Sequence, residues 1–403
     1  MTKRRLLRPS EILPLIGHRE PGLSRAARRL QRCASISDLR DVARRRTPRA
    51  VFDYTDGAAM SESSLDRARA TFDRVEFKPR VLRDVSQVDT SIIALGQTNA
   101  LPFLLAPTGF TRMMHHSGEP AVARAAGDFG IAYGLSTLGT TSIEDLAAAA
   151  PATRRWFQLY VTRDRAQGEE LMRRASDSGY DTLILTVDAP VGGIRRREIR
   201  DGLTIPPQLS LATLADMSRY PGWWLNVLTT PPLTFATLNS SGGTVGDLMT
   251  RVFDPGITWA DIEWIRAHWT GRIMLKGIQA VPDAERAAAA GVDAIVLSNH
   301  GGRQIDRGGV PLELLPQVVQ QVGSQVEVYL DGGVLSGTDV VAALCLGARG
   351  VLVGRAYLYG LMAGGYDGVV RALEILAKET RTTMQLLGAS TVADLQPELI
   401  RMR

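Results

Sequence analysis

Residues 272–300 read RIMLKGIQAVPDAERAAAAGVDAIVLSNH. The apolar run Arg272 to Ile278 is followed by Asp283 to Ala290, helix-prone by its alanine content, and then by a second apolar run, Ala294 to His300. That order predicts a βαβ unit, in which two parallel strands are joined by a crossover helix and read as apolar runs because both their faces are buried. The unit recurs in both directions. Upstream lie the runs Leu101 to Gly109, Ile131 to Thr137, Trp156 to Val161 and Thr182 to Asp188, and downstream Val326 to Gly333 and Gly350 to Ala356. Glu119 to Phe129 and Thr338 to Leu346 are helix-prone segments between them. Eight runs alternating with helices make an α/β chain, a (β/α)8 TIM barrel.

The first hundred residues break the alternation. They read as a basic arm over 1–35 and a helical cap that closes one barrel end, the barrel unit as a whole running over 36–403. A long excursion, about 200–260, separates strands four and five and carries Pro206-Pro207, Pro221, Trp223-Trp224 and Pro231-Pro232; loops of that length are functional or mobile. Composition is globular, with 45% hydrophobic and 22% charged residues. The net charge of +5 comes from arginine, since the lysines are only Lys3, Lys78, Lys276 and Lys378. Basic residues crowd the start (Lys3, Arg4, Arg5, Arg8, Arg25, Arg28, Arg29, Arg44 to Arg46), which reads first as a solvated basic arm, the alternative being attraction to an acidic partner or lipid headgroup. No aromatic-interleaved basic patch or zinc-ligand spacing points to nucleic acid or to a metal. Cys33 and Cys345 form no CxxC pair, so the sequence predicts a reducing, cytoplasmic setting. Without an apolar leader or a membrane-length apolar run, membrane contact is expected to be peripheral, on the inner face of the cell membrane.

Barrel active sites sit at the C-terminal strand ends. Here the runs close on Pro107-Thr108-Gly109, Ser136-Thr137, Gln158-Leu159-Tyr160, Thr186-Val187-Asp188, Lys276-Gly277, Ser298-Asn299-His300-Gly301-Gly302-Arg303, Asp331-Gly332-Gly333 and Gly354-Arg355. Lys276, after Ile273-Met274-Leu275, requires an anion or an electron-rich ring, because an unpaired buried ammonium is costly. His300 among glycines is a candidate base, with Asp188 a candidate to orient and stabilise its charged form. Arg303 and Arg195 are candidates to clamp a carboxylate with paired donors. Gly332, Gly333, Gly354 and Arg355 follow strands seven and eight, where barrels bind phosphate. No Walker A or GxGxxG sequence competes with them.

The stretch Ser298-Asn299-His300-Gly301-Gly302-Arg303-Gln304-Ile305-Asp306 resembles the signature of the FMN-dependent L-2-hydroxy acid oxidases and dehydrogenases. The resemblance extends over about residues 35–390 and is nearest in appearance to the bacterial respiratory L-lactate dehydrogenases of that family. It implies FMN held by Pro107, Thr108, Gly109, Ser136, Gln158, Thr186, Lys276 and Ser298, with its phosphate near Asp331, Gly332, Gly333, Gly354 and Arg355. It also implies that Tyr54, Arg195 and Arg303 hold the substrate carboxylate and Tyr160 its hydroxyl, while His300 takes a proton with Asp188 behind it. Three positions depart from the family pattern. Leu335 stands where many members have an arginine near the phosphate, Gly109 replaces a common alanine at the reactive flavin edge, and Leu138 stands where some members carry an aromatic residue.

The expected reaction is oxidation of a small L-2-hydroxy acid, L-lactate to pyruvate, with quinone or a separate carrier taking the electrons, as no haem module or c-type haem motif is present. Rival readings are an oxygen-using oxidase, a mandelate, glycolate or modified-peptide dehydrogenase, an FMN-free barrel that binds a phosphorylated ligand, and a non-catalytic lipid-surface protein. Family analogy implies a homotetramer. The apolar Trp223, Trp224, Leu225, Val227 and Leu228 suggest that the excursion meets the membrane through its paired tryptophans, the alternative being a lid over the barrel mouth.

Overall fold

The computed structural model describes residues 8, 11, 24–202, 218–238 and 254–403. Eight parallel strands close into a barrel: β1 (Phe103–Thr108), β2 (Tyr133–Ser136), β3 (Arg155–Leu159), β4 (Thr182–Thr186), β5 (Arg272–Ile278), β6 (Ala294–Leu297), β7 (Glu327–Leu330) and β8 (Gly350–Val353). Each pairs with the next and β8 pairs with β1. The helix-prone segments form helices Gly118–Asp128, Val281–Ala289 and Gly337–Cys345.

Two apolar clusters explain why the runs are continuous. Alternate residues, among them Leu104, Trp156, Ile184, Met274, Val296, Tyr329 and Leu352, fill the barrel interior. Their neighbours, such as Leu105, Phe157, Leu183, Leu185, Ile273, Leu275 and Ile295, pack outward into the helix layer. A strand buried on both faces has no polar alternation to show.

The barrel's N-terminal end is closed by a hairpin, Ile92–Ala94 with Gln97–Asn99, while the early helices lie at the other end. Ile92, Ala94 and Leu95 join the interior cluster, and Glu327 accepts a hydrogen bond from Leu95 N at 3.0 Å. The early helices take a different place. Ile36–Arg46 packs along the C-terminal helix Arg355–Leu387, Arg49–Asp56 carries Tyr54 toward the strand ends, and Ser63–Asp73 packs on the turn at His300–Gly302. The C-terminal helix breaks at Gly364 and Gly365, the latter at φ 61°, a conformation that costs glycine little.

Of the expected arm over 1–35, the described helix Arg25–Gln31 is docked on the body, with Leu30 buried and Arg29 donating to the Ala363 carbonyl at 3.3 Å. Within the excursion, helices Arg196–Asp201 and Pro221–Leu228 are described, while 203–217 and 239–253 lie outside the described residues, and so do Pro206 and Pro207. The tryptophan reading needs correction. Trp223 is 8% exposed and its indole Nε1 donates to the Met113 carbonyl at 3.0 Å, so it anchors the excursion inward. Leu225 and Leu228, at 63% and 72%, are the exposed apolar residues of that helix.

Candidate active site

The polar strand ends converge on one cleft of about 1190 Å³, measured with its open mouth. Tyr54, Pro107, Thr108, Gly109, Ser136, Tyr160, Arg195, Lys276, His300, Arg303, Asp331, Gly332, Gly333, Gly354 and Arg355 all line it. The other four predicted residues, Gln158, Thr186, Asp188 and Ser298, do not line the wall but adjoin groups that do. Gln158 accepts from Ser136 Oγ at 2.9 Å, Ser298 Oγ accepts from Lys276 Nζ and from His300 N, each at 3.0 Å, and Thr186 sits in register with Lys276. Met114, Leu138, Leu352 and Leu358 supply an aliphatic lining.

His300 is held in the left-handed region, φ 57°, which few non-glycine residues adopt. Gly301 and Gly302 follow it at φ 62° and 74°, and Asn299 Oδ1 ties the turn by accepting from Gly302 N at 3.1 Å. This turn brings His300 Nδ1 to 3.0 Å from Asp188 Oδ1. Burial alone would raise the Asp188 pKa, but the charge and hydrogen bond of His300, with Lys276 nearby, hold it below the usual carboxylate range. Asp188 therefore stays ionised and fixes the proton of the imidazole on Nδ1, leaving Nε2 as the basic nitrogen.

Lys276 is buried, and its Nζ lies 2.9 Å from Asp331 Oδ2. Burial works to lower its pKa, yet Asp331 and Asp188 raise it above the ordinary lysine value, so it is a fixed cation at the base of the cleft.

Arg303 and Arg195 stand side by side. Arg303 donates to the carbonyls of Tyr54 and Gly57 and lies over the Tyr54 ring at 4.8 Å. Burial, reinforced by repulsion from Arg195, lowers its pKa to about 10, which leaves it charged at neutral pH. Between the two arginines sits a residue that the sequence reading missed: Glu198 Oε1 lies 3.3 Å from Arg195 Nη1 and 3.3 Å from Arg303 Nη2. One turn of helix Arg196–Asp201 presents it, and its spacing three residues after Arg195 was the signal available. Tyr54 and Tyr160 are buried, which raises both phenol pKa values and keeps them as neutral donors.

A family model described as FMN-dependent dehydrogenase matches residues 43–402. The chain belongs to that family. It is 51% identical, over 98% of its length and 95% of the relative's, to a provisionally named L-lactate dehydrogenase of Mycobacterium tuberculosis. It is 41% identical to the L-lactate dehydrogenase of Caulobacter vibrioides, over 92% of this chain and 98% of that one. A solved structure of (S)-mandelate dehydrogenase, described as a monotopic membrane protein, matches with a TM-score of 0.87 and 36% identity over 93% of this chain and 100% of that chain. The chain is accordingly an FMN-dependent oxidoreductase of 2-hydroxy acids.

The residues present fit such a cofactor. The cleft joins a buried ammonium and an aliphatic floor to a glycine-rich end. Asp331 Oδ1 and Gln158 Nε2 are buried polar atoms with no hydrogen-bond partner among the described residues, as expected of groups awaiting a polar ligand. A Cβ on Gly109 would lie 2.9 Å from Leu138 Cβ, and one on Gly332 would lie 2.9 Å from Asn299 Oδ1, so the backbone is bare at both positions.

Proposed function

We propose that this family member oxidises L-lactate to pyruvate and that its electrons leave to quinone or a separate carrier. The observation that carries the reading is that one cleft is lined both by the arginine pair Arg195 and Arg303 and by His300, which is backed by Asp188. A 2-hydroxy acid needs both, a cationic seat for its carboxylate and a base beside its hydroxyl-bearing carbon. Leu138, packed beside Gly109, makes the adjoining wall aliphatic, which suits a methyl side chain. The lactate dehydrogenase names of the two bacterial relatives support the same choice.

In this reading Arg195, Arg303 and Tyr54 hold the carboxylate, and Tyr160 hydrogen-bonds the hydroxyl oxygen. His300 Nε2 accepts a proton as the hydroxyl-bearing carbon becomes a ketone. Asp188 stabilises the resulting imidazolium through Nδ1, and the proton is later released to solvent. FMN, when bound, supplies the two-electron acceptor, seated by Pro107, Thr108, Gly109, Ser136 and Lys276, with Gln158, Thr186 and Ser298 behind them. The balance is two electrons and two protons lost per hydroxy acid.

Anaerobic addition of L-lactate to the yellow holoenzyme should bleach its visible absorbance, with D-lactate inert because the clamp fixes the hydrogen on one face. A panel with L-lactate, glycolate and (S)-mandelate decides the substrate: kcat/KM highest for mandelate would overturn the lactate assignment. Rapid peroxide formation with no quinone reduction would make oxygen the acceptor.

A further inference from the structure

The glycine-lined end of the cleft has one strand-end cation, Arg355. Leu335, in its wall, offers no cation. Arg355, the expected phosphate partner, has only neutral acceptors among the described residues: its Nε donates to the Thr55 carbonyl at 2.9 Å and its Nη2 to the Gly57 carbonyl at 2.7 Å. Arg355 thus ties the segment after helix Arg49–Asp56 to the end of β8.

Arg69 enters the same end from outside the barrel. It stands on helix Ser63–Asp73 and lines the cleft with Leu65, Gly332, Gly333 and Leu335. Its Nη1 donates to the Gly333 carbonyl and to Asp339 Oδ2, the latter at 2.7 Å, and its guanidinium lies 5.5 Å from the Phe72 ring centroid. Asp339 also accepts from Leu335 N at 2.8 Å and Ser336 N at 2.9 Å, so Arg69 is locked to the loop that follows β7. With both Nη1 hydrogens used, Nε has no hydrogen-bond partner among the described residues, and Nη2 has only Asp73, at 4.0 Å. The side chain is 30% exposed, enough to be reached from the cleft.

We propose that Arg69 binds the FMN phosphate, as a cation delivered by an N-terminal helix where residue 335 supplies none. A phosphate monoester carries between one and two negative charges at neutral pH. Backbone amides hydrogen-bond it without a full countercharge, whereas a guanidinium supplies charge and planar paired donors together. Asp339 orients Arg69 for this role and keeps it from swinging into solvent. The inference rests on FMN being the cofactor and is independent of which hydroxy acid is oxidised.

The test separates phosphate from ring. Holoenzyme is stripped of flavin, and the apoenzyme is titrated with FMN and with riboflavin, which lacks the phosphate, by quenching of flavin fluorescence. Arg69→Gln should weaken FMN by about tenfold to a hundredfold, the span expected for a lost charged hydrogen bond, and leave riboflavin affinity unchanged. Adding Leu335→Arg to that variant should restore FMN affinity alone. Equal weakening of both flavins would make Arg69 a strut for the loop after β7 and overturn the proposal, as would unchanged FMN affinity. Should Arg69→Gln fail to fold, Arg69→Met keeps the aliphatic stem but not the charge, and an FMN-to-riboflavin ratio equal to that of the native chain would overturn it equally. Native apoenzyme that takes up neither flavin would instead count against the cofactor itself.

Discussion

The proposed base and its partner are one strained residue and one buried carboxylate. His300 at φ 57° meets Asp188 at 3.0 Å, and Asp188 is held ionised. His300→Ala removes the base without touching the cleft's glycine end, so flavin should stay bound while kcat falls by roughly a hundredfold or more. Asp188→Asn should also lower kcat strongly with flavin retained, because an amide neither fixes the imidazole tautomer nor stabilises its cation. Near-native turnover in either variant would move the proton transfer to another group. Glu198 poses a separate question, since a carboxylate already lies between the arginines proposed to receive the substrate's. It lowers the charge of the clamp from two to one, which favours release of a carboxylate product over its retention. Glu198→Gln should lower KM by about fivefold, equivalent to ~1 kcal/mol of added attraction, and slow turnover through tighter product binding. A raised KM would show that Glu198 positions the arginines and does not temper them. The strand-end residues were legible because a polar side chain that closes a buried apolar run is costly unless a ligand or partner meets it there. Glu198 and Arg69 were not, because each reaches the cleft from a helix whose path is fixed only by tertiary packing.

Among the elements, the short helix Arg196–Asp201 matters most, for it carries the residues that follow Arg195. It docks on helix Arg49–Asp56 through Arg197, which reaches Asp56 at 3.0 Å, Asp53 at 3.4 Å and Glu62 at 2.5 Å. At its end Asp201 faces Asp53, with Arg49 Nε at 3.5 Å. Burial, and then the hydrogen bond and charge of Asp53, raise the Asp201 pKa to about 6, with Arg49 and Arg197 opposing. The sign follows from linkage: a carboxyl whose folded pKa exceeds its unfolded value holds more protons when folded, so stability falls as pH rises between the two values. The cost is absent near pH 4 and complete above the folded value of about 6. Asp201→Asn should therefore raise the thermal midpoint at pH 7.5, and its advantage should shrink as pH drops through 6 toward 4. An advantage independent of pH would mean that the Asp201–Asp53 contact carries no protonation penalty. The βα units were readable because strands buried on both faces and alanine-rich helices leave separate marks. The hairpin Ile92–Ala94 with Gln97–Asn99 was not, since three-residue strands show too little period to separate from loop. Its role as a plug depends on a barrel end for Leu95 to enter.

At the scale of the whole molecule, two arginine-lined grooves adjoin an exposed apolar helix at Tyr220. Arg44, Arg45 and Arg219 line a groove with Tyr220, and Arg49, Arg197 and Arg200 line the next groove along, which Arg44, Arg219 and Tyr220 share. Tyr220 leads directly into helix Pro221–Leu228, where Leu225 and Leu228, three residues apart, share a face turned to solvent. Trp223 holds that helix down by its bond to Met113, so the leucines and not the tryptophans are the candidates for insertion. Val191, Ile194 and Ile199 are also exposed, on the segment that leads from β4 into helix Arg196–Asp201. Arg49 and Arg197 are already paired with carboxylates, so the attraction falls to Arg44, Arg45, Arg200 and Arg219, at about 1 kcal/mol each for an anionic surface, and apolar side chains then fix the depth. On this basis the holoenzyme should sediment with phosphatidylglycerol vesicles at low salt, be released at high salt, and ignore purely zwitterionic vesicles. Leu225→Asp with Leu228→Asp should abolish sedimentation and quinone reduction in vesicles while leaving turnover with a soluble acceptor intact. Equal binding to zwitterionic vesicles would remove the arginines from the account. No binding to either would leave helix Pro221–Leu228 as a lid, and electron transfer would then run to a soluble carrier at the cleft mouth.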